Sequence, residues 1–441
     1  MLMNFNKKKS LKADVFLITF IGIFLLTAFN SIFNSLSVAL GSSIDYTTFL
    51  MPPSDLFGDY FKAIFSFDIN SSLRFSLKGL DKLDIILNEY LQNNNYKTLN
   101  PVTGNPSNLN GMPLSTAYYV MNLRLMALIN PLVLYIANLF FLLTLLYLVI
   151  NWLLVSARDK SLFFLAVIFS YPFLFFLVRG HLFSWLTTLS LFAFLVSLEK
   201  KRLNLALLFL AIACNFRPNA IIFLPLFLLV IQNRFISNGV KIIFKLMLFF
   251  LAIFIPCLLI ANYYYAPYTL LNFVEAVANY HSIYVLGKAG LAYGSSLYGL
   301  IMSFDPSSKR VEKLILIASF ILICITMQLF IKKYINRLSF VFIITSFCCL
   351  ATSVFADYYL GIFFLPLIFL GMNSSQEKSI PPVNIVQVFS CILLLGPKNY
   401  FYFDSGLSYQ VLLNPLILCC AVTYTYIDAL KHFKNFRSFS Q

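Results

Sequence analysis

Apolar segments long enough to cross a bilayer recur along the whole chain, and they constrain its fold more than any other feature. A transmembrane helix needs about 20 consecutive apolar residues. The chain is 60% hydrophobic and only 11% charged, with a mean hydropathy of +0.83. The alternating pattern of about ten residues that builds an outer-membrane barrel does not occur. The sequence therefore predicts an all-α, polytopic transmembrane protein whose spans satisfy their own backbone hydrogen bonds.

Basic residues alternate between the connections of about 12 predicted spans. Four lysines precede the first span and basic clusters return at every second connection, whereas the intervening short connections carry only Arg179, Arg217 and Lys398. This alternation predicts that both termini are cytoplasmic. Spans of 13 or 14 residues predict helices that stop partway beside a cavity. The predicted spans are 15–40, 131–155, 161–178, 182–198, 203–216, 219–231, 242–262, 314–331, 338–354, 358–371, 382–396 and 410–428.

The chain is interpreted as one transmembrane domain, 15–428, between cytoplasmic tails 1–14 and 429–441. Two long connections, 41–130 and 263–313, fall on the predicted outer face, and long connections of this kind are usually functional. The first apolar block is too long for a signal peptide and is interpreted as a retained span. The high content of Asn, Lys, Ile and Phe indicates an AT-rich genome, which favours a bacterial source and therefore the plasma membrane as the location.

Two carboxylates lie four residues apart just after the first span. Asp55 and Asp59 share one face if their segment is helical. Such a pair at a membrane surface suits proton abstraction from a hydroxyl or recognition of a cation. The other interpretation is that both acids simply solubilise a loop.

Cationic side chains are predicted at the outer ends of spans. Arg217 interrupts an apolar run, and a charged residue at membrane depth costs about 2.5–3.5 kcal/mol on insertion scales. Its planar fork suits phosphate oxygens, although a structural ion pair or a snorkelling side chain would also explain it. Arg179 and His181, which end another span, are weaker candidates for the same role.

Other chemistries find little support in the sequence. All eight cysteines fall inside predicted spans, which indicates packing rather than disulfides or a zinc site. No cluster has metal-ligand spacing, so the metal assignment is none and the need for a divalent metal stays open. No nucleotide-binding loop is present. The net charge of +15 sorts by membrane side, so no nucleic-acid partner is predicted.

A carboxylate and phosphate-binding cations at the outer leaflet fit the transfer of a group from a lipid-phosphate carrier. The carrier's tail stays in the bilayer, the acceptor hydroxyl needs a general base, and the leaving phosphate needs stabilisation by cations or hydrogen bonds. In the late segment, Asp357 could bind sugar hydroxyls or a cation. Glu275, Tyr280, His281 and Lys288 are candidates for the acceptor side.

Several segments, taken in order, resemble the GT-C superfamily of integral-membrane glycosyltransferases, in particular its polyprenyl-phosphate-mannose-dependent branch. The likeness covers about residues 50 to 370. Each motif alone is weak, and their order and sidedness carry the resemblance. The segments are Asp55-Leu56-Phe57-Gly58-Asp59-Tyr60-Phe61-Lys62-Ala63, Tyr171-Pro172 through Arg179-Gly180-His181, Asn215-Phe216-Arg217-Pro218, Tyr293-Gly294-Ser295-Ser296-Leu297-Tyr298-Gly299, and Phe355-Ala356-Asp357-Tyr358-Tyr359-Leu360 with Leu365-Pro366.

The resemblance implies a GT-C-like fold with a large first extracytoplasmic loop and an inverting transfer from a polyprenyl-phosphate sugar to a glycolipid or glycan. It favours Asp55 over Asp59 as the base without excluding Asp59. His181 stands where the family usually has Asn, which leaves the role of that corner open. The implied sites group as donor-phosphate ligands Arg217, Arg179 and His181, and as substrate contacts Tyr60, Asp357, Tyr358 and Ser296.

Two rival classes stay open. A polysaccharide polymerase or O-antigen-type ligase would also be polytopic, but its large outer loop is expected late in the chain. A secondary transporter would show inverted repeats and charged residues at the midplane of the membrane. The sequence identifies neither the sugar, the acceptor, the linkage nor the oligomeric state.

Overall fold

The computed structural model describes residues 15–39, 112–126, 129, 131–154, 156–231, 235–264, 268–281, 285, 295–305, 310–373, 382–397 and 410–438. The regular elements in these ranges are all helices. In chain order they are α1 Val15–Ala39, α2 Pro113–Met126, α3 Pro131–Leu153, α4 Ala157–Ile168, α5 Tyr171–Arg179, α6 Leu182–Glu199, α7 Leu203–Phe216, a 3₁₀ helix Pro218–Phe227, α8 Leu228–Ile231, α9 Phe235–Tyr264, α10 Leu270–Tyr280, α11 Leu297–Phe304, α12 Val311–Ile331, α13 Arg337–Leu350, a second 3₁₀ helix Asp357–Phe363, α14 Phe364–Asn373, α15 Pro382–Leu395 and α16 Gln410–Ser438.

Six of the described helices are long and apolar enough to cross a membrane, or seven if the bent pair α4–α5 counts as one span. The long ones lie in α1, α3, α6, α9, α12 and α16. The prediction of a polytopic helical membrane protein is therefore confirmed. Five shorter apolar helices lie where the other spans are predicted, so the count of 12 stays a prediction.

The predicted span 161–178 is bent in its middle. Helices α4 and α5 meet at 57°. Ser170 caps the break, with its hydroxyl donating to the Val167 carbonyl at 2.7 Å, and Pro172 in the first turn of α5 lacks the N–H that a continuous helix would need. The short Tyr-Pro motif therefore starts a new helix rather than continuing the span.

A second break separates α7 from the first 3₁₀ helix. Proline disfavours the α-helical backbone in the residue before it, and Arg217 before Pro218 is extended, with φ −148° and ψ 110°. The apolar run thus stops at Phe216, as its short length predicts. As a result, Arg217 leaves the helix at the point where its side chain can turn into the bundle.

The two long connections contain helices rather than only loops. Helix α2 lies within the predicted connection 41–130 and packs against α7 and α9. Helices α10 and α11 lie within 263–313. At the other end of the chain, α16 continues to Ser438, beyond residue 428 where the span was predicted to end.

Helix α6 forms the centre of the bundle. Its side chains are buried all round, and Trp185 is fully buried. It packs against α3, α7 and the second 3₁₀ helix. Helices α9 and α12, by contrast, expose large apolar residues such as Leu259 and Phe320, as expected of surfaces that face lipid.

Gly371 of α14 lies where α1 passes closest to it, which leads to a stability prediction. A Cβ at Gly371 would stand 2.3 Å from Cζ of Phe16, and that ring packs edge-on against Phe163. Overpacking of this kind costs about 1–3 kcal/mol. We expect Gly371→Ala to lower the Tm of the protein in detergent.

The control for this substitution is Gly239→Ala in α9, where an added Cβ meets no atom of the described residues within 4 Å. Alanine favours a helix over glycine by up to about 1 kcal/mol, so this variant should match or exceed the wild-type Tm. A Gly371→Ala protein as stable as the Gly239→Ala protein would contradict the packing described here.

Candidate functional site

Polar side chains from separate parts of the chain converge on residues 352–359, which we call the 352–359 segment. The segment runs from just after α13 into the second 3₁₀ helix. His181 and Arg217, which lie at predicted outer span ends, both contact this segment. The opposite end of α6 carries other contacts, including the Arg337–Glu199 ion pair at 2.9 Å. An 18-residue helix such as α6 separates the two ends by about 27 Å.

Asp357 is the buried acid of this site. Its side chain is fully buried, and its carboxylate accepts hydrogen bonds from the Tyr171 hydroxyl at 3.3 Å and from the Ser295 hydroxyl. The Asn414 amide donates to the Ser295 hydroxyl at 2.7 Å and reaches the Asp357 carboxylate at 3.4 Å. A buried carboxylate is tolerated only with such partners. Asp357 therefore joins α5, the start of α11 and α16.

Arg217 lies against the aromatic part of the same segment. Its guanidinium carbon is 3.5 Å from the ring centroid of Tyr359 and 4.8 Å from that of Phe355, and Nη2 donates to the Val354 carbonyl at 3.1 Å. Asn219, two residues on, donates to the Thr352 hydroxyl at 2.8 Å. Stacking holds a guanidinium flat and still leaves its other N–H groups available for planar recognition of an oxyanion.

One amino group of Arg217 has no hydrogen-bond partner among the described residues. The Nη1 atom is buried and donates to none of them. A buried unsatisfied donor is rare in proteins, and a charged one is costly. An anionic group bound next to Nη1 would satisfy it with a charge-assisted hydrogen bond.

His181 contacts two tyrosines of the segment, Tyr358 and Tyr359. Its ring stacks on Tyr358 at 4.4 Å with an interplanar angle of 17°, and Tyr358 also stacks on Phe175. Gly180, directly before it, has φ 74°, a left-handed conformation that glycine adopts without strain, and its N–H closes the last turn of α5. This glycine sets the tight corner that brings His181 to Tyr358.

A second carboxylate reaches the segment from α12. Glu312 accepts a hydrogen bond from the Ser353 hydroxyl, and its other oxygen is 2.7 Å from Nε2 of His281. Ser296 caps α11 and donates to the Ser353 carbonyl at 2.8 Å. Ser296 thus positions residues 353 and 354, to which Glu312 and Arg217 are hydrogen-bonded.

An apolar groove of about 470 Å³ lies between α11, α12, α13 and α16. One end of the groove adjoins the polar site, because the lining residues Leu297 and Val311 are the chain neighbours of Ser296 and Glu312. Tyr426, which lines the groove farther along α16, is 2.6 Å from the Thr326 hydroxyl. The groove has the size and lining of a site for a hydrocarbon chain.

The structure brings together five of the nine predicted site residues, namely Arg217, His181, Asp357, Tyr358 and Ser296. Each of them belongs to the 352–359 segment or contacts it. The side chains of the remaining four are outside what the structure describes. Asp55, Asp59 and Tyr60 fall outside the described residues, and of Arg179 only the backbone position at the end of α5 is described.

Several polar residues of the site carry no assignment from sequence reasoning, among them Glu312, Asn414 and Ser353. Glu312 lies at the start of a strongly apolar span, and Asn414 lies beside Pro415 in another. An isolated polar residue near a span end is the sequence signal that could have marked both as site residues. Ser353 offers no such signal, because serines are common in apolar helices. In the described part of the chain, no group of three or more His, Cys, Asp and Glu side chains is placed to hold a metal ion.

Comparisons of the chain with protein-family models, with curated proteins and with solved structures give no match. The candidate function therefore rests on the chemistry of the side chains at the 352–359 segment and on the groove beside it.

Proposed function

We propose that the protein is a membrane glycosyltransferase with a GT-C-like fold. It moves a sugar, mannose or another hexose or pentose, from a polyprenyl-phosphate donor to a hydroxyl of a glycolipid or glycan, with inversion at the anomeric carbon. The reaction takes place on the extracytoplasmic face of a bacterial plasma membrane, with both termini in the cytoplasm. The donor is held by membrane-embedded surfaces, so no soluble nucleotide site is required.

The observation that carries this proposal is the buried Nη1 of Arg217, which has no hydrogen-bond partner among the described residues. The guanidinium is oriented by Tyr359 and by the Val354 carbonyl, so its free N–H groups are fixed before a ligand arrives. A donor placed in advance, where charge develops on the leaving phosphate, stabilises the transition state without reorganisation. His181, stacked on Tyr358, lies next to this aromatic pair and supplies a further polar group.

The apolar groove supports a lipid-linked rather than a soluble donor. The bilayer already anchors a polyprenyl tail, and packing of the tail against the groove would position the donor's head group beside the polar site. The groove begins beside Ser296 and Glu312, at the polar end of the bundle. An amphiphilic donor would therefore place its charged head at the polar site and its apolar tail along the groove. The base of the reaction is a carboxylate, for which the sequence nominates Asp55 or Asp59.

The test is direct transfer by the purified protein in nanodiscs. Radiolabelled polyprenyl-phosphate sugars are offered with a lipid extract as acceptor, and we expect label in the glycolipid or glycan fraction. Consumption of a polyprenyl-diphosphate oligosaccharide alone would favour a polymerase or ligase instead. Uptake of a solute into proteoliposomes without transfer would favour a transporter.

Ala318 of α12 lines the groove and gives a prediction about the donor's tail. Ala318→Phe should fill part of the groove and raise the KM for a long-chain donor severalfold, because the tail loses its packing against the groove. The KM for a donor with a short, water-soluble tail should not change. Steady-state kinetics with the two donors measures the difference.

The matched control is Ile317→Phe on the same helix, at a side chain that is 58% exposed and does not line the groove. It should leave both KM values at the wild-type level. An equal rise of KM for both donors in Ala318→Phe would mean that the groove does not hold the tail.

A further inference from the structure

The helix break at Pro218 carries a second buried polar atom without a described partner. Asn219 donates from Nδ2 to the Thr352 hydroxyl at 2.8 Å, but its carbonyl oxygen Oδ1 is buried and accepts no hydrogen bond from the described residues. Arg217, on the other side of the proline, shows the same feature in its donor Nη1. One donor and one acceptor, both buried and both without a described partner, therefore flank a single proline.

The orientation of the Asn219 amide follows from a bond that Thr352 makes elsewhere. The Thr352 hydroxyl gives its only proton to the Cys348 carbonyl at 2.7 Å. Its oxygen can therefore only accept from Asn219, so the amide must present its NH₂ group to Thr352. Exchanging the oxygen and nitrogen of the amide would break this bond and leave both ends unpaired. The atom without a described partner is thus a hydrogen-bond acceptor.

Arg217 and Asn219 contact the same short stretch of the 352–359 segment. Nη2 of Arg217 donates to the Val354 carbonyl at 3.1 Å, and Asn219 donates to Thr352, two residues away. Two residues of chain span at most about 7 Å, both from 217 to 219 and from 352 to 354. A phosphate and the sugar bonded to it can bridge a distance of this size.

Burial distinguishes Asn219 from the other described residues with a similar oxygen. The side-chain amide oxygens of Asn215, Gln387 and Asn414 are also buried without a described partner, but these residues are at most 1% exposed. Asn219 and Arg217 are both partly exposed. The Arg217–Asn219 pair therefore borders the surroundings from which a ligand arrives, whereas the other three amides lie within the packed bundle.

We propose that Oδ1 of Asn219 accepts a hydrogen bond from a hydroxyl of the donor's sugar while Arg217 binds the donor's phosphate. This inference rests on the proposed glycosyl transfer. A sugar hydroxyl has a proton to donate to Oδ1, whereas an ionised phosphate only accepts, so the two side chains bind different parts of one donor. A site that binds a substrate hydroxyl rejects analogues without it, because its own polar atom is then left unpaired. Asn219 is thus a specificity-determining residue for the sugar.

A cycle that pairs one substitution in the protein with one change in the donor tests this contact in the full-length protein in nanodiscs. Donors that each lack one sugar hydroxyl are compared with the complete donor, in the wild type and in Asn219→Ala. With the complete donor, Asn219→Ala should lower kcat/KM by about 10–100-fold, the effect of losing one substrate hydrogen bond. With one of the deoxy donors the same substitution should have little further effect, because the bound hydroxyl is already absent.

Asn204→Ala is the matched control, at an exposed asparagine of α7 that accepts from Lys245 at 3.1 Å. It should respond to every donor as the wild type does. If Asn219→Ala does not accumulate in the membrane, the variant Asn219→Leu, which is close in volume, replaces it. No loss in the Asn219 variant, or an equal loss with all donors, would overturn the contact and leave the proposed function standing. If the wild type transfers no sugar from any complete donor, both proposals fall.

Discussion

Replacing Arg217 by alanine is expected to reduce kcat/KM for sugar transfer by about 10²–10³-fold, the loss measured when one preorganised donor to a developing oxyanion is removed. The reason is that Nη1 is buried, charged and without a described partner, so it is free to bind the phosphate. Steady-state transfer from a radiolabelled polyprenyl-phosphate sugar measures the effect.

Arg217→Lys separates charge from shape at the same position. Lysine keeps the positive charge but lacks the planar fork and the stacking surface that lies 3.5 Å from Tyr359. We therefore expect it to recover only a small part of the lost rate. A full recovery by lysine would show that the site needs a cation and not a fork.

The control for both variants is Arg202→Ala, at an exposed arginine at the start of α7 on the opposite end of the bundle. It should transfer sugar at the wild-type rate. Because Arg217 also packs on two rings, the Tm of each variant is measured beside its activity. Wild-type kcat/KM in Arg217→Ala would remove the main support for the proposed function.

Replacing Asp357 by alanine is expected to destabilise the protein more than any other single change considered. Tyr171 and Ser295 would be left as buried donors without this acceptor, and Asn414 would keep only its bond to the Ser295 hydroxyl, at about 1–3 kcal/mol for each unsatisfied group. The expected loss of several kcal/mol should appear as a large drop in Tm in detergent, or as failure to accumulate in the membrane.

Asp357→Asn tests the same network with little change in shape. The new amide presents an NH₂ group to side chains that donate, so part of the loss remains. Glu275→Ala, at an exposed acid of α10, serves as the control and should stay within about 0.5 kcal/mol of the wild type. An Asp357→Ala protein with a wild-type Tm would mean that the carboxylate does not hold these elements together.

Local sequence signals predicted the elements of this protein better than its site. The Arg-Pro pair at 217–218 and the Gly at 180 predict a helix break and a tight corner because both effects act within a few residues. Spans of sufficient length could be read from hydropathy alone. The helices inside the long connections were not predicted, since their apolar content is interrupted by polar residues.

The site depends on contacts that sequence spacing does not encode. Asp357 bonds to Tyr171 across 186 positions and to Asn414 across 57. A lone acid beside two tyrosines predicts a ligand contact, whereas its full burial indicates that it holds neighbouring elements in place. Glu312 and Ser353 meet for the same long-range reason, and no local pattern links them.

The position of Asn414 in the last helix affects the order in which the protein is made. The chain is synthesised from its N-terminus, and Tyr171, Ser295 and Asp357 enter the membrane before α16 exists. Until that helix arrives, the buried acid lacks its amide donor and the groove lacks one wall. The described site is therefore complete only when α16 is inserted, so a nascent or truncated chain that lacks α16 would have no finished site for the proposed lipid-linked donor.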